Sequence, residues 1–382
     1  MFNLDLNYQL RFNGFGEEWT WECLMNISDI STGNKDLKDN VKNGIYPFFV
    51  RSANVERINS YSYDGEAVLI PGDGVNVGKI YHYIIGKFDY HQRVYKISDF
   101  NECILGKYVY YYLSEKFLRQ VKRDSQKASV DSLRLPTIQK MIIKFPSSLK
   151  EQNKIISILS AVDSKINLLK NKHKSYHDFK MYLMQQIFAQ KLRFDYSDEW
   201  KICKLKDICN IQDGTHSTPN YVDEGVPFYS VETITNNVPP KFISKDEHEK
   251  LIKRCKPQFG DILITRIGTL AKSKIIDWNE EFSIYVSLAL LSSIKINSNY
   301  LNLYLQTEDF QKEFLKRSLL LAVPQKINLK DLKELKIKYP SFEEQNSIMN
   351  LFKPVDSKLF NIGSELLMMK NFKEGLLQQM FI

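Results

Sequence analysis

The sequence predicts an α+β protein built as a tandem repeat, two mixed α/β domains each followed by a long helix. Three observations carry this reading. First, the stretches 148–188 and 341–381 match under one gapless shift of 193 residues. Glu151-Gln152-Asn153 falls on Glu344-Gln345-Asn346, Val162-Asp163-Ser164-Lys165 on Val355-Asp356-Ser357-Lys358, and Phe179-Lys180 on Phe372-Lys373. Second, both stretches place apolar residues at alternating steps of four and three, the seam of a coiled coil. In the first copy the seam runs Ile155, Leu159, Val162, Ile166 and onward to Leu183 and Ile187; in the second it runs Ile348, Phe352, Val355 and onward to Leu376 and Met380. Third, the segments before the helices repeat more weakly: Leu10-Arg11-Phe12 then Glu18-Trp19, against Leu192-Arg193-Phe194 then Glu199-Trp200.

Taken in chain order, the reading is a domain over 1–147, a helix over 148–190, a domain over 191–340 and a helix over 341–382. In each domain short apolar runs bounded by turn residues predict strands, at 67–70, 80–85, 261–265 and 283–291. Tyr46-Pro47-Phe48 has a counterpart in Val226-Pro227-Phe228. Helices with aromatic spacing follow at 108–123 and 300–317, their tyrosines mostly core, and a last strand closes each domain at 141–145 and 335–339. Ser148 with Glu151, and Ser341 with Glu344, read as capping boxes that start the long helices. Forty residues at about 1.5 Å each predict helices roughly 60 Å long. Pro354 predicts a kink or irregular turns in the second. Lys180 and Lys373 sit in the seam at the same register, where an apolar residue is expected, and point to an open or partner-covered coil near each helix's far end.

A chain of 382 residues holds two or three domains. Apolar content of 43% and charged content of 26% are ordinary for a globular protein. No apolar run reaches membrane-spanning length, and the first eleven residues lack the basic start and apolar block of a signal peptide; the expectation is a cytoplasmic protein with no membrane partner. Five scattered cysteines without a Cys-x-x-Cys pair argue against a disulfide framework or a zinc site. The net charge of +8 is uneven: the first long helix carries seven basic and three acidic side chains, the second four and five. A mildly basic protein with local basic clusters is compatible with nucleic acid.

Catalytic motifs fail on inspection. The stretch 72–80 resembles a phosphate loop but has five residues between Gly72 and Gly78 where four are required, and Ile80 stands where a Ser or Thr would hold magnesium. A turn that carries Lys79 to a phosphate is the better reading. Asn236-Asn237-Val238-Pro239-Pro240 is not the Asn-Pro-Pro-aromatic motif of amino-methyltransferases, the six histidines lack metal spacing, and no nucleophile elbow is present. The chain reads as a binding protein.

These features together resemble the specificity (S) subunits of type I restriction-modification systems. The resemblance rests on the paired Pro-Ser-…-Glu-Gln-Asn starts at 146–153 and 340–346, on the Asp-Ser-Lys segments, and on the Leu183-…-Phe188 and Leu376-…-Phe381 ends. Gly214-Thr215-His216-Ser217-Thr218-Pro219 is similar to the start of one type of target-recognition domain, and 260–268 to a later segment of such domains. The resemblance implies two target-recognition domains, each reading half of a split double-stranded DNA sequence. Between them two antiparallel coiled-coil helices, related by a pseudo-twofold, act as spacer and as docking surface for two modification (M) subunits. Those subunits would supply S-adenosylmethionine and methylate adenine at N6; two restriction (R) subunits would use ATP and Mg2+ to cleave DNA. No cofactor, metal or catalytic residue is expected in this chain. A recognition subunit of another restriction type, or a coiled-coil scaffold with two protein-binding domains, is the alternative.

Phosphate contacts are expected from the basic clusters: Lys122-Arg123 and the matching Lys316-Arg317, with Arg119, Lys127, Lys253, Arg254 and Lys256. Base contacts need donors and acceptors on exposed loops. Asn76, Lys79, His91, Gln92 and Arg93 are the candidates in the first domain; Thr215, His216, Ser217, Arg266, Gln325 and Lys326 are those in the second. The subunit interface is expected at the helix ends, at Lys180, Leu183, Ile187, Lys373, Leu376 and Met380. Full antiparallel overlap of the helices would put His173 near Asp356.

Overall fold

The computed structural model describes residues 2–4, 10–125, 132–196, 198–236 and 238–381. The chain divides into two compact units, Met1–Lys172 with Ile362–Ile382, and His173–Asn361. Each unit therefore contains one globular domain, the first part of the long helix that follows it, and the last part of the other long helix.

In the first unit β1 (Phe2–Leu4) pairs with β2 (Leu10–Phe12). β3 (Trp19–Cys23) and α1 (Leu24–Ile27) lead into β4 (Asp29–Thr32), β5 (Tyr46–Phe49), β6 (Glu56–Ile58), β7 (Tyr63–Pro71), β8 (His82–Tyr90) and β9 (Val94–Ser98). α2 (Gly106–Ser125), α3 (Leu135–Gln139) and β10 (Ile142–Pro146) precede α4 (Leu149–Phe188). Six strands form one sheet in the order β4-β9-β7-β8-β5-β6. Every pairing in it is antiparallel except β5 with β8, where Phe48 faces Asp89. β10 returns beside β3, so the domain closes where it opened.

The second unit repeats the plan. Its elements are β11 (Lys201–Lys204), α5 (Leu205–Ile208), β12 (Asn210–Asp213), β13 (Tyr221–Val222), β14 (Val226–Tyr229), α6 (Val231–Asn236), β15 (Lys241–Ile243) and α7 (Lys245–Leu251). Then come β16 (Ile262–Thr265), β17 (Ser273–Ile275), β18 (Ser283–Ile284), β19 (Leu288–Ser292), α8 (Ser298–Tyr304), α9 (Glu308–Lys316), α10 (Leu329–Lys333), β20 (Lys336–Tyr339) and α11 (Phe342–Met380). Here two four-stranded sheets, β12-β19-β16-β17 and β13-β15-β14-β18, replace the single sheet. The Pro-Phe strand again makes the parallel pairing: Phe228 of β14 faces Ser283 of β18. The long β8 of the first unit thus corresponds to β17 and β18 together, and the sheet divides where residues 276–282 interrupt that strand.

Two of the expected elements divide. The run 283–291 is not one strand but β18 and β19, in different sheets, with a turn at Tyr285–Ser287 between them. The helix expected over 300–317 is α8 and α9, separated where Thr307 caps the second by accepting the Phe310 amide at 3.4 Å. A hydroxyl at an N-cap competes with helix continuation.

The long helices are held by the residues that repeat. Glu151 and Glu344 are buried; Glu344 N–H donates to Ser341 Oγ at 3.4 Å, half of the expected capping box, but among the described residues neither carboxylate reaches back to its cap. Arg11 donates Nε and Nη2 to the Glu151 carboxylate at 2.9 and 2.7 Å. Arg193 does the same to Glu344, both at 3.1 Å. A bidentate arginine satisfies a buried carboxylate better than one backbone amide could. The neighbouring glutamines fasten the helix starts to the domains. Leu105 N–H donates to Gln152 Oε1, and Gln152 Nε2 donates to the carbonyls of Cys103 and Pro146. Asn297 N–H and the Pro340 carbonyl play the matching parts around Gln345.

The far ends of the helices are also core. In the first unit Phe381 packs edge-on against Tyr108 and Tyr112, with ring centroids 5.5 and 5.6 Å away. In the second Phe188 packs against Tyr300 and Tyr304 at 5.8 and 5.5 Å. Tyr108 and Tyr300 are fully buried, and each donates its hydroxyl to a strand carbonyl, of Lys144 and Lys338 respectively. Burial raises both phenol pKa values well above their ordinary range. Cys209 and Cys255 are buried as well, and burial pushes both thiols up to about 12, far from reactive thiolates.

The seam of α4 is buried from Ile155 to Leu169, and that of α11 at Ile348, Phe352, Val355 and Ile362, with Leu359 partly buried. The two helices run antiparallel, since lower-numbered residues of one meet higher-numbered residues of the other within each unit. Lys165 pairs with Glu365 at 2.7 Å and Asp163 with Lys373 at 2.6 Å in the first unit; Lys180 pairs with Asp356 at 2.7 Å in the second. Under the repeat, the Lys373–Asp163 and Lys180–Asp356 pairs are the same interaction made twice. The seam lysines therefore do not mark an open coil: each is satisfied by an aspartate across the pair. Asp356 meets Lys180 rather than His173, which lies seven residues earlier. The helix α11 continues through Pro354.

Candidate nucleic-acid interface

In both units the same two turns come together. β4 of the first unit ends at Thr32 and Gly33 follows. A Cβ on Gly33 would lie 1.9 Å from the Tyr90 carbonyl oxygen, so only glycine fits. The close approach lets Lys35 bridge to His91, with Gln92 N–H donating to the Lys35 carbonyl at 2.8 Å. In the second unit β12 ends at Asp213 and Gly214 follows, where a Cβ would lie 2.0 Å from the Ile284 carbonyl oxygen. Thr215 bridges to Tyr285, and Val286 N–H donates to the Thr215 carbonyl at 2.9 Å. The turn 91–93 thus corresponds to 285–287.

Around the first pair of turns the loop 72–79 is fastened by charge. Arg51 Nη1 donates to Asp73 at 2.9 Å and Arg93 Nε lies 3.8 Å from the same carboxylate. Asn76 Nδ2 donates to the Arg51 carbonyl, and Gln92 Nε2 donates to Asp36 at 3.0 Å. Val75 stands at the loop tip, 83% exposed, and Lys79 is exposed beside it without an ion pair among the described residues. The glycine at 78 lies against Leu118 of α2.

The second unit organises its turns around one buried carboxylate. Asp213, its side chain 3% exposed, accepts from Arg254 Nη2 at 2.5 Å and Arg266 Nη1 at 3.2 Å, and lies 3.0 Å from His216 Nε2. Arg266 is itself buried and also donates to the carbonyls of Val286 and Ile327. Burial pulls its pKa down and Asp213 counters this. One acid thus joins the 213–218 loop, the end of α7 and the 266–268 loop. Gly268 N–H then donates to the Gln325 carbonyl at 2.8 Å and Ile327 N–H to that of Arg266, adding the 319–326 hairpin to the same surface.

Among the described residues no group of three or more His, Cys, Asp or Glu is placed to hold a metal ion, and no helix is long and apolar enough to cross a membrane. A family model described as "Type I restriction modification DNA specificity domain" matches the chain twice, at residues 16–175 and 197–366.

The chain belongs to that specificity-domain family. Each match takes in one globular domain and the first part of the helix after it, the repeat unit already visible in the sequence. A type I restriction enzyme specificity subunit (MjaVIII) of Methanocaldococcus jannaschii is 25% identical over 351 residues, covering 83% of this chain and 77% of that protein. The EcoDI specificity subunit of Escherichia coli is 26% identical over 185 residues, 48% of this chain and 40% of that one. The crystal structure of a type I S subunit from M. genitalium aligns with a TM-score of 0.66 at 17% identity, covering 97% of each chain. A structure from a study of type I complex assembly aligns at 0.54, again with 17% identity, over 97% of this chain and 99% of that one. These two likenesses are ones of fold.

Within this specificity-domain chain the candidate residues sort by exposure. Lys253, Lys256 and Lys316 are exposed and carry no ion pair among the described residues. His216, Ser217 and Gln325 are exposed too, while Thr215 and Lys326 are half-buried, and Thr215 Oγ1 is engaged with the Ser217 backbone. Arg119 is exposed but pairs with Glu115, and Arg317 pairs with Glu313 at 2.7 Å. Lys122 is exposed with partners of its own; Arg123 follows it in α2, and Lys127 lies outside the described residues.

Three groups depart from their expected parts. Arg266 is not a free donor, because its guanidinium is buried against protein acceptors. His91 is buried and its Nδ1 accepts the Arg93 amide at 2.9 Å, so it shapes the turn rather than projecting from it. Leu183, Ile187, Leu376 and Met380 are core residues of the two units, leaving them no free face for another subunit. Lys180 and Lys373 are committed to Asp356 and Asp163. Sequence reasoning missed Gly33, Lys35, Arg51 and Asp213. The residues around Gly33 and Gly214 differ, which hides their alignment, and Asp213 sits one position before the 214–219 motif.

Proposed function

We propose that this protein is the DNA-specificity subunit of a type I restriction-modification system and that each unit reads one half of a bipartite target. The observation that carries the reading is the recurrence, in both units of a specificity-family chain, of the same glycine-dependent pair of turns bordered by exposed basic side chains. Loops fixed by buried hydrogen bonds present donors at defined positions, which reading base edges requires; exposed lysines around them suit phosphates, which position without specifying. The antiparallel helices serve as the spacer that sets the distance between half-sites.

On this reading the chain carries no catalytic group. Two M subunits bind it and contribute S-adenosylmethionine and adenine-N6 methylation; two R subunits contribute ATP- and Mg2+-dependent cleavage. Lys253 and Lys256 contact phosphates of the half-site read by the second unit. Lys253→Ala/Lys256→Ala in the assembled complex is expected to weaken cognate and non-cognate duplexes alike. The slope of log affinity against log salt should fall by about two. Fluorescence-anisotropy titrations at several salt concentrations measure this; an unchanged slope removes both lysines from the phosphate interface.

A further inference from the structure

The hairpin 319–326 ends in a run that the fold does not use. Leu319 and Lys326 close it by mutual backbone hydrogen bonds, 2.7 and 3.4 Å long. Between them Leu321 and Val323 are each 99% exposed, and Leu319 and Leu320 are about half exposed. Leu321 and Val323 touch no core, so they add nothing to folding. The hairpin is nevertheless held in place, because Gly268 donates to the Gln325 carbonyl, Ile267 bridges to Lys326, and Ile327 N–H donates to Arg266. It projects from the surface organised by Asp213.

Charge decides what this tip meets. Between Glu313 and Asp331 the chain carries Lys316, Arg317, Lys326 and Lys330 and no acidic side chain, with Arg317 paired to Glu313; in residues 266–274, to which the hairpin is bonded, Arg266 is buried against Asp213, and the exposed charges are Lys272 and Lys274. An apolar tip inside a basic field suits a polyanion that also offers apolar groups. Duplex DNA is such a partner, with phosphates at the groove walls and thymine methyl groups on the base edges between them.

We propose that Leu321 and Val323 form an apolar finger that enters a groove of the half-site bound by the second unit and packs against base edges there. This rests on the DNA-reading function and deepens it. The finger contacts bases while the surrounding lysines contact phosphates, so the two contributions separate by their response to salt.

The test uses the assembled complex and a cognate duplex. Leu321→Ser/Val323→Ser should weaken cognate binding at least tenfold and leave the salt slope as in the wild type, with unchanged thermal unfolding. Leu321→Met/Val323→Met should keep binding close to wild type, since it keeps the apolar surface. Wild-type affinity in the serine variant overturns the proposal. So does a variant that binds DNA normally but no longer co-purifies with its methyltransferase partner, which would make the tip a protein contact. A wild-type complex without preference for any duplex sequence would instead sink the DNA-reading function itself.

Discussion

Asp213→Ala is expected to destabilise the second unit by about 3–5 kcal/mol, the usual cost of leaving a buried charge without its partner. The charge left behind is Arg266, whose side chain is only 8% exposed and whose remaining acceptors are two neutral carbonyls. Arg254 and His216 reach water when the acid is lost, so they contribute little to the penalty. The double variant Asp213→Ala/Arg266→Met should therefore recover most of the lost stability, because removing both members of a buried pair is often nearly neutral. It should not recover DNA selectivity, since the 213–218 and 266–268 loops lose the group that joins them. Denaturant unfolding followed at Trp200 and Trp278, which both lie in this unit, measures the first effect. A loss under 1 kcal/mol for the single variant would mean that Arg266 is solvated.

Phe381→Ala is expected to cost the first unit about 3–5 kcal/mol, the range for deleting a buried phenylalanine. The residue is far from that domain in sequence, yet its ring is fully buried against Tyr108 and Tyr112. Trp19 and Trp21 report on this unit and Trp200 and Trp278 on the other, so fluorotryptophan labelling distinguishes the two. The Trp19 and Trp21 signals should lose their native positions at a lower denaturant concentration. Phe188→Ala should do the same to the second unit's reporters. If neither substitution moved its own unit's midpoint, the helix ends would be appendages and not core.

What could be read beforehand follows a physical rule. The helix pair was legible because a heptad seam is a local pattern, and because each copy was a control for the other. The β7, β16 and α2 segments were legible for the same reason: their apolar runs are contiguous. The breaks were not. Thr307 separates α8 from α9 within the polar run 306–309, and a turn at 285–287 moves the chain from one sheet to another although the residues around that turn stay largely apolar. Partner choice was illegible as well. Glu151 has the spacing of a capping box, but Arg11, 140 residues away, makes the stronger bond. Lys180 reads as a defect in the seam, and only the fold places Asp356 across from it. Tertiary charge pairing leaves no mark within a sequence window.

For the candidate site, Gly214 and its neighbours stand in a motif and the exposed lysines stand in clusters, so both can be named from the sequence. Arg266 was expected as a base contact; it is buried against Asp213 and the carbonyls of Val286 and Ile327, and burial is not readable from the sequence. The equivalence of Gly33 with Gly214 appears only when Tyr90 and Ile284 are seen to approach each glycine in the same way.

The central claim, that two equivalent units each read half of one DNA target, is tested most directly by mapping methylated adenines in cells that carry the partner M subunit. With this gene present, the account predicts a two-part motif with a fixed gap. Replacing residues 201–335 by the corresponding segment of a related specificity subunit should change one half of that motif and leave the other half and the gap intact. A methylation pattern that is the same with and without the gene would contradict it.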